Sequence, residues 1–385
     1  MTKVHKSQVA IVACPDYDQP KVEEAVRKAV DLIGGIGRFT ERGEKILVKP
    51  NLLLSKDSSK AVTTHPSVFR GVIRLLHDAG MEVSFGDSPA VGSTRAVAKK
   101  AGLLDVVEEL NVPVADMVTQ VEVPFPEGSL LKKFILAKGV VDSDGIISVS
   151  KLKTHALTRI TGAVKNQFGC IPGMLKSEFH GRMTDDQLFS RMLVDLNLLL
   201  KPRLYIMDAI VGMEGNGPAG GTPRTIGLIL ASDDPVALDA TVCYLIGLKP
   251  ELVPTLTWGE KLGLGNYHHI EWLGESPEQW IQQGFKVNRS TGSTAFSGTS
   301  TLAPLARNFI IPKPVIESER CTRCGQCVNI CPVNPKALCF PEKQKDTVPQ
   351  YNYSKCIRCY CCHETCPSDA ISIKVPLAGR LIHSK

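Results

Sequence analysis

Thirteen cysteines stand in this 385-residue chain, and eight of them fall into two runs of one pattern. The first is Cys321-x2-Cys324-x2-Cys327-x3-Cys331 with Pro332 after it; the second is Cys356-x2-Cys359-x2-Cys362-x3-Cys366 with Pro367 after it. Three thiolates two residues apart share one tight loop and can hold three irons of a cubane. A fourth, three residues on, is placed to reach a second cluster. The spacing therefore predicts two [4Fe–4S] clusters with crossed ligation. Cys321, Cys324, Cys327 and Cys366 would hold one, and Cys356, Cys359, Cys362 and Cys331 the other. Each fourth cysteine would open a helix, and its proline would turn the chain away. A lone C-x2-C pair suits zinc as well, but two full runs ending in proline do not favour it. Disulfide frameworks belong to small secreted chains. One-electron redox chemistry is the expectation.

Two further cysteines in this region fall outside the pattern. Cys361 lies between Cys359 and Cys362, and Cys339 lies in the apolar stretch Ala337-Leu338-Cys339-Phe340. Both read as small hydrophobes beside the clusters. Residues 314–376 resemble a dicluster, bacterial-type ferredoxin domain of α+β fold. An extended segment precedes each run, and the apolar Ala370-Ile371-Ser372-Ile373 follows the second.

The elements that must position a reaction partner lie upstream. Residues 1–285 read as an α/β domain. Apolar runs at 9–12, 46–48, 83–85, 145–149, 204–207 and 226–230 are expected strands. Helices are expected from Pro20 to the Gly34-Gly35 stop, from Pro66 to Ala79, after Ser93-Thr94, and from Pro235. This alternation predicts a mostly parallel, helix-covered sheet. Ligands of such sheets bind beyond the carboxyl ends of the strands. Polar residues follow each expected strand: Cys14-Pro15-Asp16, Lys49-Pro50-Asn51, Gly86-Asp87-Ser88, Lys151-Leu152-Lys153-Thr154-His155, Asp208 and Ser232-Asp233-Asp234. They are expected to converge at one edge.

The densest stretch is 151–173, with Lys151, Lys153, His155, Arg159 and Lys165 among glycines, Asn166 and Pro172-Gly173. Thr161-Gly162 can start a helix whose free N–H groups favour anions. Catalytic candidates are His155, Lys165, His180 and Asp87; histidine is the general proton shuttle near neutral pH. Substrate-binding candidates are Lys49, Asn51, Lys153, Asn166, Asp208 and Glu214. The Gly-rich segment 214–221 reads as a pocket rim, with Glu214 and Asn216 as polar contacts. No G-x-G-x-x-G follows a strand and no G-x4-G-K-[ST] occurs, so neither a dinucleotide fold nor an NTPase is supported.

Several of these motifs resemble one family. They are Val48-Lys-Pro-Asn-Leu52, Gly86-Asp-Ser-Pro89, Lys151-Leu-Lys-Thr-His155, Thr161-Gly-Ala-Val-Lys-Asn166, Gly212-Met-Glu-Gly-Asn-Gly-Pro218 and Asp234-Pro-Val-Ala-Leu-Asp239. The chain is similar along nearly its whole length to the DUF362 family, whose members often carry a C-terminal dicluster ferredoxin domain. That resemblance implies iron–sulfur binding and this architecture, with no settled substrate. The spacing of His155, Lys165 and His180 also resembles a motif of the nickel-pincer lactate racemase family. It implies that Lys165 holds a ligand or cofactor, His180 binds metal and His155 acts as acid or base.

Composition bounds the rest. The chain is 43% hydrophobic and 22% charged, which is globular, and its length suggests two or three domains. A linker is expected over 286–313 and a short tail over 377–385. The apolar run near the N-terminus is too short for a signal peptide core or a membrane span, so a cytoplasmic and reducing setting is expected. Residues 317–385 carry ten Lys/Arg against six Asp/Glu. Such a basic cluster domain could steer an acidic donor such as ferredoxin or flavodoxin. There is no basic stripe with interleaved aromatics, as nucleic-acid binding would need. Three readings follow: an iron–sulfur oxidoreductase acting on a small anionic substrate or cofactor, an electron-transfer protein that docks a partner, and an enzyme with a further metal or organometallic cofactor.

Overall fold

The computed structural model describes residues 6–183, 185–290, 308–341 and 347–380. The middle of the expected linker, 291–307, lies outside the described residues, as does the end of the expected tail.

In chain order the larger part contains β1 (Ser7–Ala13), α1 (Gln19–Leu32), β2 (Lys45–Pro50), α2 (Pro66–Asp78), β3 (Glu82–Phe85), α3 (Thr94–Ala101) and α4 (Leu103–Glu109). A hairpin of β4 (Gln120–Pro124) and β5 (Lys133–Ala137) follows, then α5 (Lys138–Val141), β6 (Gly145–His155), β7 (Arg159–Ile160) and α6 (Gly162–Asn166). Next come α7 (Leu175–Arg182), α8 (Asp186–Leu200), β8 (Leu204–Glu214), β9 (Thr222–Ser232), α9 (Pro235–Leu245), α10 (Pro254–Lys261) and β10 (Ile270–Gly274). The main sheet runs β10-β1-β9-β8-β6-β2-β3, with β7 paired to the end of β6.

Period-two alternation builds a core on each face. Val9 and Ile11 of β1, with Leu228 and Leu230 of β9, belong to one core. Ala10, Val12, Ile229 and Ala231 belong to the other, against α1 and α2. On α1, Val22, Ala25, Val26, Ala29 and Val30 form the buried stripe, and Gly34 follows at φ 109°. Helix α3 is capped by Ser93, whose hydroxyl accepts from Ala96 N–H.

Two expectations are corrected here. Strand β9 is antiparallel to both β8 and β1. Its C-terminal Ser232-Asp233-Asp234 therefore falls at the edge opposite the other strand ends. There Asp234 accepts from Ser7 Oγ at 2.6 Å and caps α9 through Val236 and Ala237 N–H. Second, Lys151–His155 is not a loop after a strand but the buried continuation of β6. A charged strand end can be buried where acceptors meet it: Asp208 of β8 and Tyr17 receive Lys151, and Asn51 and Val62 of the segment after β2 receive Lys153.

Helix α6 also departs from expectation. Its first N–H groups are not free for a ligand, because the Asp239 carboxylate accepts from Ala163 N–H at 2.6 Å and Val164 N–H at 3.1 Å. Gly162 is required here: φ is +58°, and a Cβ would collide with that carboxylate.

In the smaller part β11 (Lys313–Ile316) pairs with β14 (Ile371–Lys374), and β12 (Leu338–Cys339) with β13 (Gln350–Tyr351). Short helices at Gln326–Asn329 and Cys361–Glu364 precede the fourth cysteine of each run. The expected helix opening at that cysteine is absent among the described residues: irregular chain and turns follow Cys331 and Cys366 instead. Cys361 is buried as expected, whereas Cys339 is exposed on β12. The two parts are clamped together. Lys56 Nζ reaches Asp369 at 2.8 Å and Pro367 O at 2.7 Å, and Asn216 joins Ile371 O at 3.2 Å and His363 Nε2 at 3.0 Å. Among the described residues no helix is long and apolar enough to cross a membrane.

Asp239→Ala would strand the two α6 amides in an apolar setting. The expected loss is roughly 2–3 kcal/mol, read as a lower urea midpoint at unchanged slope.

Candidate functional site

The carboxyl ends of β2, β3 and β6 meet at one edge of the sheet, where Lys49, Asp87, Lys151 and Lys153 are all but fully buried. Each charge needs a partner there. Lys49 Nζ lies 2.8 Å from Asp87 Oδ1, and Asp87 Oδ2 accepts Leu52 N–H at 2.6 Å. Burial pushes the Asp87 carboxyl up, against the pull of Lys49. Gly169 lies directly over this pair; any Cβ would collide with Asp87 Oδ1 and crowd Lys49 Nζ. Lys151 is paired with Asp208 at 2.7 Å and with Tyr17 Oη at 2.8 Å. Lys153 is different. Its Nζ donates to Asn51 Oδ1 and Val62 O, both at 2.6 Å, and it has no carboxylate. Burial and the nearby Lys165 hold it well below the usual lysine range.

Above this floor lies a cavity of about 70 Å³, room for a handful of water-sized groups. Asn51, Asp87, Lys153, Lys165, Asn166 and His180 line it, so six of the sequence candidates come together. The opposite wall comes from the cysteine-rich part: Ile330, Cys361, Glu364 and Thr365. Lys165 Nζ has no hydrogen-bond partner among the described residues and rests 5.8 Å from the Phe168 ring centroid. Lys176 donates to Ser88 Oγ at 2.7 Å and Ile171 O at 2.9 Å, and burial brings it down to about 7 despite Asp87.

His155 stands behind the cavity. Its Nδ1 accepts the N–H groups of Leu157 and Thr158 at 3.0 and 3.2 Å, so the proton of the neutral ring is on Nε2. That nitrogen faces Glu364 Oε1 at 2.9 Å, off the line of a straight hydrogen bond. Burial and the nearby Lys165 bring His155 to about 3, so the ring is neutral at ordinary pH. Burial brings His180 to about 4. That ring stacks on Phe189 at 4.3 Å. Burial opposes the Glu364 charge, but the Nε2–H of His155 that faces it and the nearby Lys165 outweigh it and hold the carboxyl well below the usual range. Thr161, His180 and Glu364 line the cavity, and their buried Oγ1, Nδ1 and Oε1 atoms have no aligned partner among the described residues. Buried polar atoms left open in this way need an account, and a bound ligand supplies one.

Four candidates have other duties. Lys49 is the inner half of the ion pair with Asp87. Asp208 is spent on Lys151, Tyr17 and His65 N–H. Glu214 pairs with Arg224 and Lys286 N–H, both at 3.0 Å. His155 contacts the cavity only through Glu364. Sequence reasoning missed Lys176 and Glu364, and had Ser88 only among the polar residues expected to converge after β3. Lys176 follows the Pro172-Gly173 turn that closed the basic stretch, and Glu364 is a charge set between two cluster-type cysteines.

The cysteines ring two hollows. Cys321, Cys324, Cys327 and Cys366 line one, with Cys324 and the neighbouring Arg320 and Arg323 exposed. Cys331, Cys356, Cys359 and Cys362 line the other, none of them exposed, with Cys361 in its wall. An all-thiolate set of four per hollow fits a cubane cluster. Among the described residues no three His, Cys, Asp or Glu side chains gather closely enough for one metal ion.

The family model of a domain of unknown function, DUF362, matches residues 46–244, and two 4Fe-4S binding domain models match 312–333 and 349–372. The chain belongs to the DUF362 family. It is 35% identical over 257 residues to a thylakoid-associated protein of Synechocystis sp., covering 66% of this chain and 79% of that one. The cysteine-rich part of this DUF362 protein is 39% identical over 64 residues to an uncharacterized polyferredoxin-like protein of Methanocaldococcus jannaschii. That match covers 15% of this chain and 38% of that one. An uncharacterized ferredoxin of the same organism is 33% identical over 61 residues, 16% of this chain and 77% of that one. Among solved structures, the lactate racemase apoprotein of Thermoanaerobacterium thermosaccharolyticum aligns with a TM-score of 0.39 at 12% identity. That alignment covers 62% of this chain and 56% of that one; so loose a likeness transfers no chemistry.

The partners separate scaffold from site. Asp87→Ala would leave Lys49 buried and unpaired and cost about 3–5 kcal/mol. Lys165→Ala breaks no pairing and should change stability by less than about 1 kcal/mol. Urea midpoints of the two variants check this.

Proposed function

We propose that this DUF362 protein is an iron–sulfur oxidoreductase that binds a small anion in the cavity between its two parts. The observation that carries the reading is the wall at Cys361. This one residue borders both the polar cavity and the inner cysteine hollow. Cys321, Cys324, Cys327 and Cys366 would hold one [4Fe–4S] cluster, and Cys331, Cys356, Cys359 and Cys362 the other. When bound, such clusters supply one-electron transfer.

The residues of the chain do the rest. Lys165 and Lys176 outnumber the single unpaired carboxylate of the cavity, Glu364, because Asp87 is neutralised by Lys49. The field is therefore cationic and suits an oxyanion. Asn51 and Asn166 hold each other at 2.9 Å and orient Lys153 beneath the ligand. Thr161 Oγ1 and His180 Nδ1 remain open to hydrogen-bond it. His155 positions Glu364, and His180, neutral at ordinary pH, can take a proton at Nδ1. The exposed Arg320 and Arg323 beside the outer hollow suit an acidic redox donor.

Lys165→Ala is expected to abolish turnover in a coupled reduction assay while iron content and the visible absorption of the clusters stay unchanged. Full activity in that variant would defeat the assignment. Anion affinity should also depend on pH. Lys176 holds its proton below about 7, so binding of acetate is strongest there and weakens as pH rises through that value. In Lys176→Met this step should vanish from a calorimetric titration series.

A further inference from the structure

A second cavity, of about 430 Å³, abuts the cationic one at Ser88, Ala90, Gly173 and Ile330. Its volume falls within the range of small-molecule sites. Among the described residues no charged side chain lines it. One wall is the loop from Pro89 to Thr94, another is Met117, Val118 and Met174, and the cysteine-rich part closes it with Gln326 and Asn329. Val118 and Met174 are large apolar side chains left exposed, at 79% and 55%. The two chambers thus divide their chemistry sharply. The small inner one holds the lysines and the open polar atoms, and the larger outer one is neutral and partly apolar.

We infer that the ligand is an organic anion with an oxyanion head seated in the inner cavity and a neutral, largely apolar body filling the outer one. This rests on the anion-binding reading above and adds the class of molecule. A bare inorganic anion leaves the outer chamber unused. A molecule charged at both ends would find no counter-charge for its second group among the described side chains that line the outer chamber. The body would touch both parts of the protein, since Gln326, Asn329 and Ile330 come from the cysteine-rich part.

The test measures affinities of two matched pairs by anaerobic calorimetry on the cluster-loaded protein: acetate with 3-phenylpropionate, and inorganic phosphate with phenyl phosphate. Each methylene taken out of water adds about fourfold in affinity, so the longer member should bind at least tenfold more tightly in any pair whose head group binds. Val91→Trp, which fills the outer chamber, should bring the longer member down to the level of its head group and leave the head group unchanged. Where that variant fails to load iron, Met174→Trp on the other wall serves instead. If the head groups bind but the body adds nothing, or if the gain survives the tryptophan, the inference falls and the anion site stands. If no head group binds, both fall.

Discussion

The structure turns on the cost of burying charge at the end of a sheet. Three lysines, Lys49, Lys151 and Lys153, are brought to the same edge by β2 and β6 and are removed from water. Two receive carboxylates, Asp87 and Asp208, at 2.8 and 2.7 Å. The third receives only carbonyl oxygens and is pushed toward its neutral form. Burial of an ammonium without a counterion is too costly for any other outcome. The floor of the site is consequently near neutral overall, and its positive field comes from Lys165 and Lys176, which stand above it. Gly169 belongs to the same constraint: only a residue without Cβ lets the chain cross over the Lys49–Asp87 pair.

Among the described residues the α/β part brings one carboxylate to the cavity, Asp87, and Lys49 holds it, which leaves Lys165 and Lys176 without a free counter-charge from that part. Glu364 resolves that. It arrives from the cysteine-rich part and takes its place near His155, Lys165 and His180, where its carboxyl is held well below the usual range. The latches at Lys56–Asp369 and Asn216–His363 fix the approach. Each part alone leaves charges uncompensated, and the contact between them is an electrostatic completion as well as a packing surface.

Much of this was legible in the sequence where one residue type carries one physical signal. The cysteine spacing, the Pro and Gly that bound α1 and α2, and the Ser93 cap of α3 are local, and the structure contains them. Direction in a sheet is not local: the apolar run of β9 reads the same parallel or antiparallel, so the place of Ser232-Asp233-Asp234 was not readable. Nor is a buried polar strand. Lys151, Lys153 and His155 resemble a loop until Asp208, Asn51 and Glu364, from three distant segments, are present to receive them. Glu364 was missed for the same reason, since its contact with His155 spans more than half the chain. Lys49 and Asp208 read as substrate-binding residues in the sequence yet are engaged in internal ion pairs, since a residue that shapes a site and one that lines it look alike in sequence.

The short helix Cys361–Glu364 makes the two parts of the molecule more than neighbours. Within four residues it presents Cys361 to the cavity and the inner hollow together, Cys362 to the hollow, and Glu364 to the cavity. A segment of one turn cannot move one of these side chains without moving the others. Cys361, Cys362 and Glu364 are buried and so weakly screened, and charge gained on one side of Cys361 acts on charge held on the other. An anion in the cavity would disfavour added negative charge in the hollow, and the converse holds to the same extent, because coupling between two sites is reciprocal. With an anion in the cavity and a cluster in the hollow, the occupancy of one and the charge state of the other would be linked by proximity alone, without any change of conformation.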